Sequence, residues 1–263
     1  MKQKDYQKII VEQQESVVTI AMNAPKTLNA FDEILLDEML EALETCQMDS
    51  SCRVVVIKGT GKAFSAGGDI AAMNEFLSTD ITAFFKPVLQ RVNKLALAIR
   101  AIPKPVVASV HGAAAGAGFN LALCCDFIMA ADNARFVQAF VNIGLIPDMG
   151  GTYFLSRALP PAKVMEYTML GDIISAEDLY SLGMVNYLTE PEELEKQTLE
   201  LAKKLASKPR ESLSTSKAMV NKINYPDLEE ILNAEYDAQI YLAKQPDFAE
   251  GIASFIEKRK PNF

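Results

Sequence analysis

The chain has 263 residues, 49% hydrophobic and 23% charged, with a formal net charge of −8. That length and mix can bury one sizeable core with room for a smaller appendage. The scattered Lys and Arg exclude a basic stripe following a phosphate backbone, and so argue against nucleic acid.

The N-terminal stretch MKQKDYQKIIVEQQE lacks the apolar core of a signal peptide. No apolar run is long enough to span a bilayer, since ALALAIRAIPKPVVASV is broken by Arg100, Pro103, Lys104 and Pro105. Cys46, Cys52, Cys124 and Cys125 form no CxxC pair and stand beside a single histidine, His111, so no metal-site spacing exists. A cytoplasmic enzyme or binding protein with reduced thiols, no metal and no membrane contact is expected.

In chain order, IIVEQQESVVTIAMN predicts two strands around a polar turn. After PKTLNAF, the run DEILLDEMLEALETC has helical apolar spacing. VVVIKG (54–59) is a continuous β-branched run, the mark of a strand covered on both faces. The loop TGKAFSAGGD leads into a helical stretch around 70–100. PVVASVHG (105–112) predicts a second buried strand, which continues through AAAGAG into the apolar helix FNLALCCD, and DFIMAA (126–131) predicts a third. Short strands with helical crossovers make a parallel sheet and an α/β class. From about 161 onward KVMEYTMLG, SAEDLYSLG, PEELEKQTLELAKKLAS and DLEEILNAEYDAQIYLA are helical patterns, a region expected to pack on the sheet or on a partner subunit.

Two strand-to-helix junctions are rich in small residues, 65–69 (SAGGD) and 112–118 (GAAAGAG). Such junctions expose helix N-terminal N–H groups and let a ligand approach the backbone, though small residues also serve tight packing. Dinucleotide and P-loop patterns are absent: Leu121 stands where a third glycine would be, and no Gly-Lys-Ser/Thr follows. FSAGG is not GxSxG, and His111, set before a glycine in a predicted buried strand, has no partner for a triad and reads as structural. What remains is two N–H-rich loops and an acid in GLIPDMGGT (144–152). Taken alone, Pro-Asp-x-Gly is turn chemistry. Taken with the loops, two donors on one carbonyl oxygen and a nearby carboxylate suit proton abstraction next to a carbonyl, or acyl chemistry.

At this point the chain resembles the crotonase superfamily, the enoyl-CoA hydratase/isomerase fold, over nearly its whole length. The matching stretches are PKTLNAF, VVVIKGTGKAFSAGGDI, KPVVASVHGAAAGAGFNLALCCDFIMAADNARF, GLIPDMGGT and EGIASFIEKRKPNF, in order and at the right intervals. The resemblance implies a crotonase-like ββα-superhelix core with an acyl-CoA site over 1–195, and a helical C-terminal trimerisation region over 196–263. It implies that the Gly68 and Ala117 amides hold the thioester oxygen, and that CoA runs along Lys26, Leu28, Ala66, Asp69 and Ile70. Phe255 and Lys258 would approach the adenine and 3′-phosphate, often from a neighbouring subunit. A homotrimer or paired trimers are implied, with no cofactor beyond the CoA of the substrate.

The departures from the family pattern bear on the activity. Hydratases of the family carry one glutamate in GGxxEL and another in QPEIxLG; here those positions are Asn120 and Phe140. Neither side chain activates water, so hydration by the usual pair is not expected. The acid at Asp148, with FVxxxGLIPDxGGT and Asn in GAGxNLAL, looks most like the phenylacetate-pathway ring-1,2-epoxyphenylacetyl-CoA isomerases and the 3,2-enoyl-CoA isomerases. One carboxylate suits a 1,3-proton shift, and apolar neighbours (Leu145, Ile146, Met149, Phe140) would raise its pKa. Asn120 and Phe140 would then line the acyl site, with Phe84, Phe85 and Leu77 as further apolar candidates. A hydratase using other groups, and a non-catalytic acyl-CoA binder, are the alternatives.

Overall fold

The structure, a computed structural model, describes residues 4–263; residues 1–3, where the N-terminal stretch read above begins, lie outside the described residues. Strands β1 (Ile9–Gln14) and β2 (Val17–Met22) form the expected hairpin, with Ile9 opposite Met22 and Gln14 opposite Val17. Helix α1 (Glu33–Met48) starts where the Asp32 carboxylate accepts from Leu35 N at 2.9 Å, and it buries Leu35, Leu36, Met39 and Leu43 at helical spacing. Strand β3 (Val54–Gly59) follows.

The stretch expected as one helix around 70–100 is two, α2 (Ile70–Leu77) and α3 (Ile81–Ala101). Asp80 is the reason: its carboxylate accepts from Thr82 N at 2.9 Å and opens a new N-terminus. Next come β4 (Val106–Val110), β5 (Ala113–Ala115), α4 (Ala117–Cys124), β6 (Phe127–Ala131) and β7 (Arg135–Val137). His111 lies just past the end of β4 rather than inside it, half-buried, with Nε2 3.1 Å from Gly61 O. A 3-10 turn (Ala139–Ile143) precedes α5 (Gly151–Ala158), α6 (Pro161–Leu170), β8 (Ile173–Ser175), α7 (Ala176–Ser181) and β9 (Tyr187–Thr189). The chain ends in α8 (Leu194–Ala206), α9 (Arg210–Asn224), α10 (Leu228–Leu242) and α11 (Pro246–Glu257).

The main sheet has the order β1-β2-β3-β4-β6-β9, parallel from β2 onward, and the second sheet has the order β5-β7-β8. The chain alternates between them: β4 lies in the first sheet and β5 in the second before α4, and β6 and β7 repeat the step. This is the expected ββα spiral. The continuous apolar strands follow from burial on both faces. One face packs on α1 and α3, while Val17, Val54, Val56, Val107 and Met129 meet Leu194, Leu201 and Ala202 of α8 on the other.

Helix α9 is held differently. It has no buried apolar residue, and Met219, Val220 and Ile223 are exposed. Its Lys217 Nζ reaches Asp126 Oδ2 at 2.8 Å, Ile99 O at 2.8 Å and Lys104 O at 3.0 Å, while Asn221 Nδ2 donates to Arg100 O at 2.8 Å.

PKTLNAF is explained by Asn29, fully buried in the left-handed region (φ +56°), where Asn is tolerated among L-residues. Its Oδ1 accepts from Ala24 N, and its Nδ2 donates to the carbonyls of Thr60, Ala63 and Phe64 at 2.9, 2.9 and 3.2 Å. One side chain thereby fixes the loop that leads into the 65–69 junction. Asn29→Ala is expected to destabilise the fold by on the order of 3 kcal/mol, because it strands buried backbone groups; the urea midpoint checks this.

Candidate active site

The two small-residue loops meet backbone to backbone. Ser65 bridges Ala114, with Ser65 N 3.1 Å from Ala113 O and Ala115 N 2.9 Å from Ser65 O. Phe31 N donates to Gly67 O at 2.6 Å and ties the same loop to the 25–31 segment. A Cβ on Gly67 (φ +81°) would lie 2.5 Å from Ala115 O, and one on Gly118 would lie 2.5 Å from Ser65 O. Side chains at either position would force the loops apart. Neither the Gly68 nor the Ala117 amide has an acceptor among the described hydrogen bonds. Ala117 opens α4, so its N–H is one that a helix leaves free at its positive end. Two unpaired amides on adjoining loops are donors for a ligand oxygen.

Asp148 sits in the loop before α5. Its carbonyl accepts from Gly151 N at 2.8 Å and from Asn120 Nδ2 at 2.9 Å, and Asn120 Oδ1 accepts from Gln138 Nε2 at 2.7 Å. The first of these bonds closes the predicted turn, with Met149 at φ +54° and Gly150 at +78°. The turn reading holds, and the turn carries the acid. The Asp148 side chain is 8% exposed, and its Oδ1 is buried with no partner. Burial first, then the charge of Glu235, push its carboxyl up to about 8, against the opposing pull of the Asn120 amide and its own backbone N–H. Phe140 is also buried, its ring 3.5 Å from where a Gly116 Cβ would be, beside the start of α4.

The remaining sequence-predicted residues form two groups. Ala66 N donates to Leu28 O at 2.9 Å, which sets Lys26 and Leu28, both exposed, beside the glycine loop. Asp69 caps α2, its carboxylate accepting from Ala72 N at 3.1 Å, and half-buried Ile70 is that helix's first residue. Phe255 is 61% exposed near the end of α11, and Lys258 closes that helix in the left-handed region. No hydrogen bond, ion pair or ring contact joins these two to Lys26, Leu28 or Ala66 among the described residues. Phe84 and Phe85 are buried in a chain of ring contacts from Phe76 to Phe248, and Leu77 is half-buried. All four cysteines are buried and free, no group of metal-ligating side chains occurs among the described residues, and no described helix is long and apolar enough to cross a membrane.

The family model for enoyl-CoA hydratase/isomerase matches residues 12–263. The chain belongs to the enoyl-CoA hydratase/isomerase family. It is 35% identical to a trans-2-decenoyl-[acyl-carrier-protein] isomerase of Streptococcus mutans, over 98% of each chain. It is 36% identical to a crotonyl-CoA hydratase of Syntrophomonas wolfei, again over 98% of each. The crystal structure of an enoyl-CoA hydratase from Mycobacterium avium subsp. paratuberculosis superposes with a TM-score of 0.89 at 31% identity, covering 98% of this chain and 99% of that one. The crotonase fold and an enzyme of this family are thus shown, with hydratases and isomerases both among the relatives.

Family motifs did not disclose the residues behind Asp148. Glu235 Oε2 accepts from Gly150 N at 2.7 Å; Oε1 accepts from Thr152 N at 3.2 Å and from the Thr152 hydroxyl. Gln239 Nε2 donates to Ile146 O at 2.6 Å. A signal was present: Leu228, Leu232, Glu235 and Gln239 fall at steps of four, three and four, one buried stripe of α10. An acid on an apolar stripe marks an internal polar contact. Burial raises the Glu235 carboxyl to about 7.

With Asp148 raised from the ordinary carboxylate range to about 8, the folded protein holds a proton there that the unfolded chain has released. This contribution is complete below about pH 4 and is lost as pH rises toward 8. Asp148→Asn is therefore expected to gain at least about 1 kcal/mol relative to wild type between pH 5 and pH 8.5. Urea unfolding of both proteins at the two pH values reads the difference.

Proposed function

We propose that the protein is an isomerase moving a double bond of an acyl-CoA thioester between the 3 and 2 positions, with Asp148 as the proton carrier. The observation that supports this most is the Asp148 carboxylate: buried, with its Oδ1 unpartnered. Glu235 is also buried, yet both its oxygens are taken by the 150–152 turn.

In this reading the thioester oxygen lies on the Gly68 and Ala117 amides. Asp148 takes a proton from C2 of the 3-enoyl group, and the C–H electrons pass into the carbonyl to give a dienolate with its charge on that oxygen. The protonated Asp148 then delivers the same proton to C4, the 2,3-double bond forms, and the carbonyl is restored. No other atom enters or leaves. Raised basicity suits the task, since a carboxylate of ordinary pKa is too weak a base for a thioester α-proton. Asn120 and Phe140 supply no group to activate water, which favours proton return over hydration. The motif likeness to epoxyphenylacetyl-CoA isomerases places a ring-epoxide thioester in the test panel. A trimer or hexamer, with Phe255 and Lys258 on the CoA, belongs to the same proposal.

Asp148→Asn is expected to lower kcat on a 3-enoyl-CoA by about a thousand-fold or more while thioester binding persists. Absorbance of the conjugated 2-enoyl thioester reads the rate, and equilibrium titration reads the binding. Rapid loss of conjugation from crotonyl-CoA in the wild type would instead assign a hydratase. For the wild type, kcat/KM is expected to rise with pH through the region of pH 7–8, because the base works ionised and both buried carboxyls titrate there.

A further inference from the structure

Glu235 does more than fill a core position. Its carboxylate holds the amides two and four residues beyond Asp148, together with the Thr152 hydroxyl, on the turn that Gly151 and Asn120 close onto the Asp148 carbonyl. The residue is 4% exposed, so these bonds are shielded from water.

The charges around the pair are few. Cys124 of α4, its thiol donating to Met149 O at 3.6 Å, interacts electrostatically with both carboxyls. From α3, uncharged Asn93 donates to Leu232 O of α10 at 3.0 Å. On α5, Tyr153 and Arg157 bond each other, and the Tyr153 hydroxyl accepts from Asp227 N. On α10 itself Glu229, Glu230 and Asp237 are exposed. No cation among the described residues offsets either buried carboxyl.

We infer that Glu235 is a positioning residue for Asp148: its three hydrogen bonds fix the 148–152 turn that carries the Asp148 carboxyl. This rests on the reading of Asp148 as proton carrier. Reach and charge are separable. Glu235→Gln keeps the length but loses the charge: its Oε1 can still accept from the turn, whereas its Nε2 cannot. Glu235→Asp keeps the charge but is one methylene short of the amides.

The test is a carbon-13 NMR titration of protein labelled at the aspartate side-chain carboxyl, with the Asp148 signal assigned by its loss in Asp148→Asn. Kinetics with a 3-enoyl-CoA run alongside. In Glu235→Gln the Asp148 midpoint is expected to fall by about one pH unit, the rising limb of kcat/KM to follow it, and kcat to drop about ten-fold with KM little changed. In Glu235→Asp kcat should drop while the midpoint stays within a few tenths of wild type. Coincident midpoints and equal kcat in Glu235→Gln and wild type overturn the inference. So does a loss of thermal stability with the midpoint and kcat unmoved. Where Glu235→Gln does not fold, Thr152→Val withdraws one bond. A several-fold loss of kcat supports the inference and an unchanged kcat overturns it. A shifted Asp148 midpoint alongside an active Asp148→Asn would leave the charge coupling standing and sink the isomerase reading. An unshifted midpoint with an inactive Asp148→Asn does the reverse.

Discussion

The site depends on two backbone segments approaching closer than any side chain allows. Gly67 against Ala115 and Gly118 against Ser65 leave no room for a Cβ, and the Ser65–Ala114 bridge locks the pair. Everything else follows from that clamp. It sets the Gly68 amide beside the start of α4, it places Asn120 one turn further along the same helix, and Asn120 then reaches the Asp148 carbonyl. The donors and the acid are therefore referred to one short helix. Asn29 extends the chain of constraint to the far side of the 60–64 loop.

Against this rigid frame the fold keeps two buried carboxyls without a compensating cation. Such groups are costly, and a core of the same shape with apolar residues there would be more stable. The cost is contained by geometry. Glu235 satisfies its oxygens on the turn, whereas Asp148 leaves Oδ1 unpaired. A carboxylate left short of donors is a stronger base than one fully solvated. An unpaired buried oxygen costs stability, a cost common at functional sites.

Most of this was legible in the sequence, for identifiable reasons. The continuous β-branched run at 54–59 reads as a doubly covered strand and the run at 126–131 as a further strand, and the Gly-rich junctions and the acid at 148 stand out because their residue types are unusual for their setting. What escaped was short or remote. The three-residue strands β5, β7, β8 and β9 are too brief for periodicity, and they exist because the second sheet (β5, β7, β8) and the β6–β9 edge of the main sheet pair segments far apart in the chain. The break between α2 and α3 hung on one capping aspartate. Glu235 was hidden among neighbouring acids on α10, although its step from Leu228 and Leu232 places it on the buried face. Its partners lie more than eighty residues away, beyond the reach of local pattern.

Helix α9 shows a different economy. With no buried apolar side chain, its attachment runs through Lys217 to Asp126 and two carbonyls, and through Asn221 to Arg100, whose guanidinium also sits 3.1 Å from Asp126. Attachment of this kind rests on hydrogen bonds and a nearly buried ion pair more than on apolar burial. Burial pulls the Lys217 ammonium below its ordinary pKa, so alkali weakens this attachment. The last quarter of the chain is therefore not uniformly anchored: α10 is fastened by the core, and α9 by a polar latch that alkali loosens.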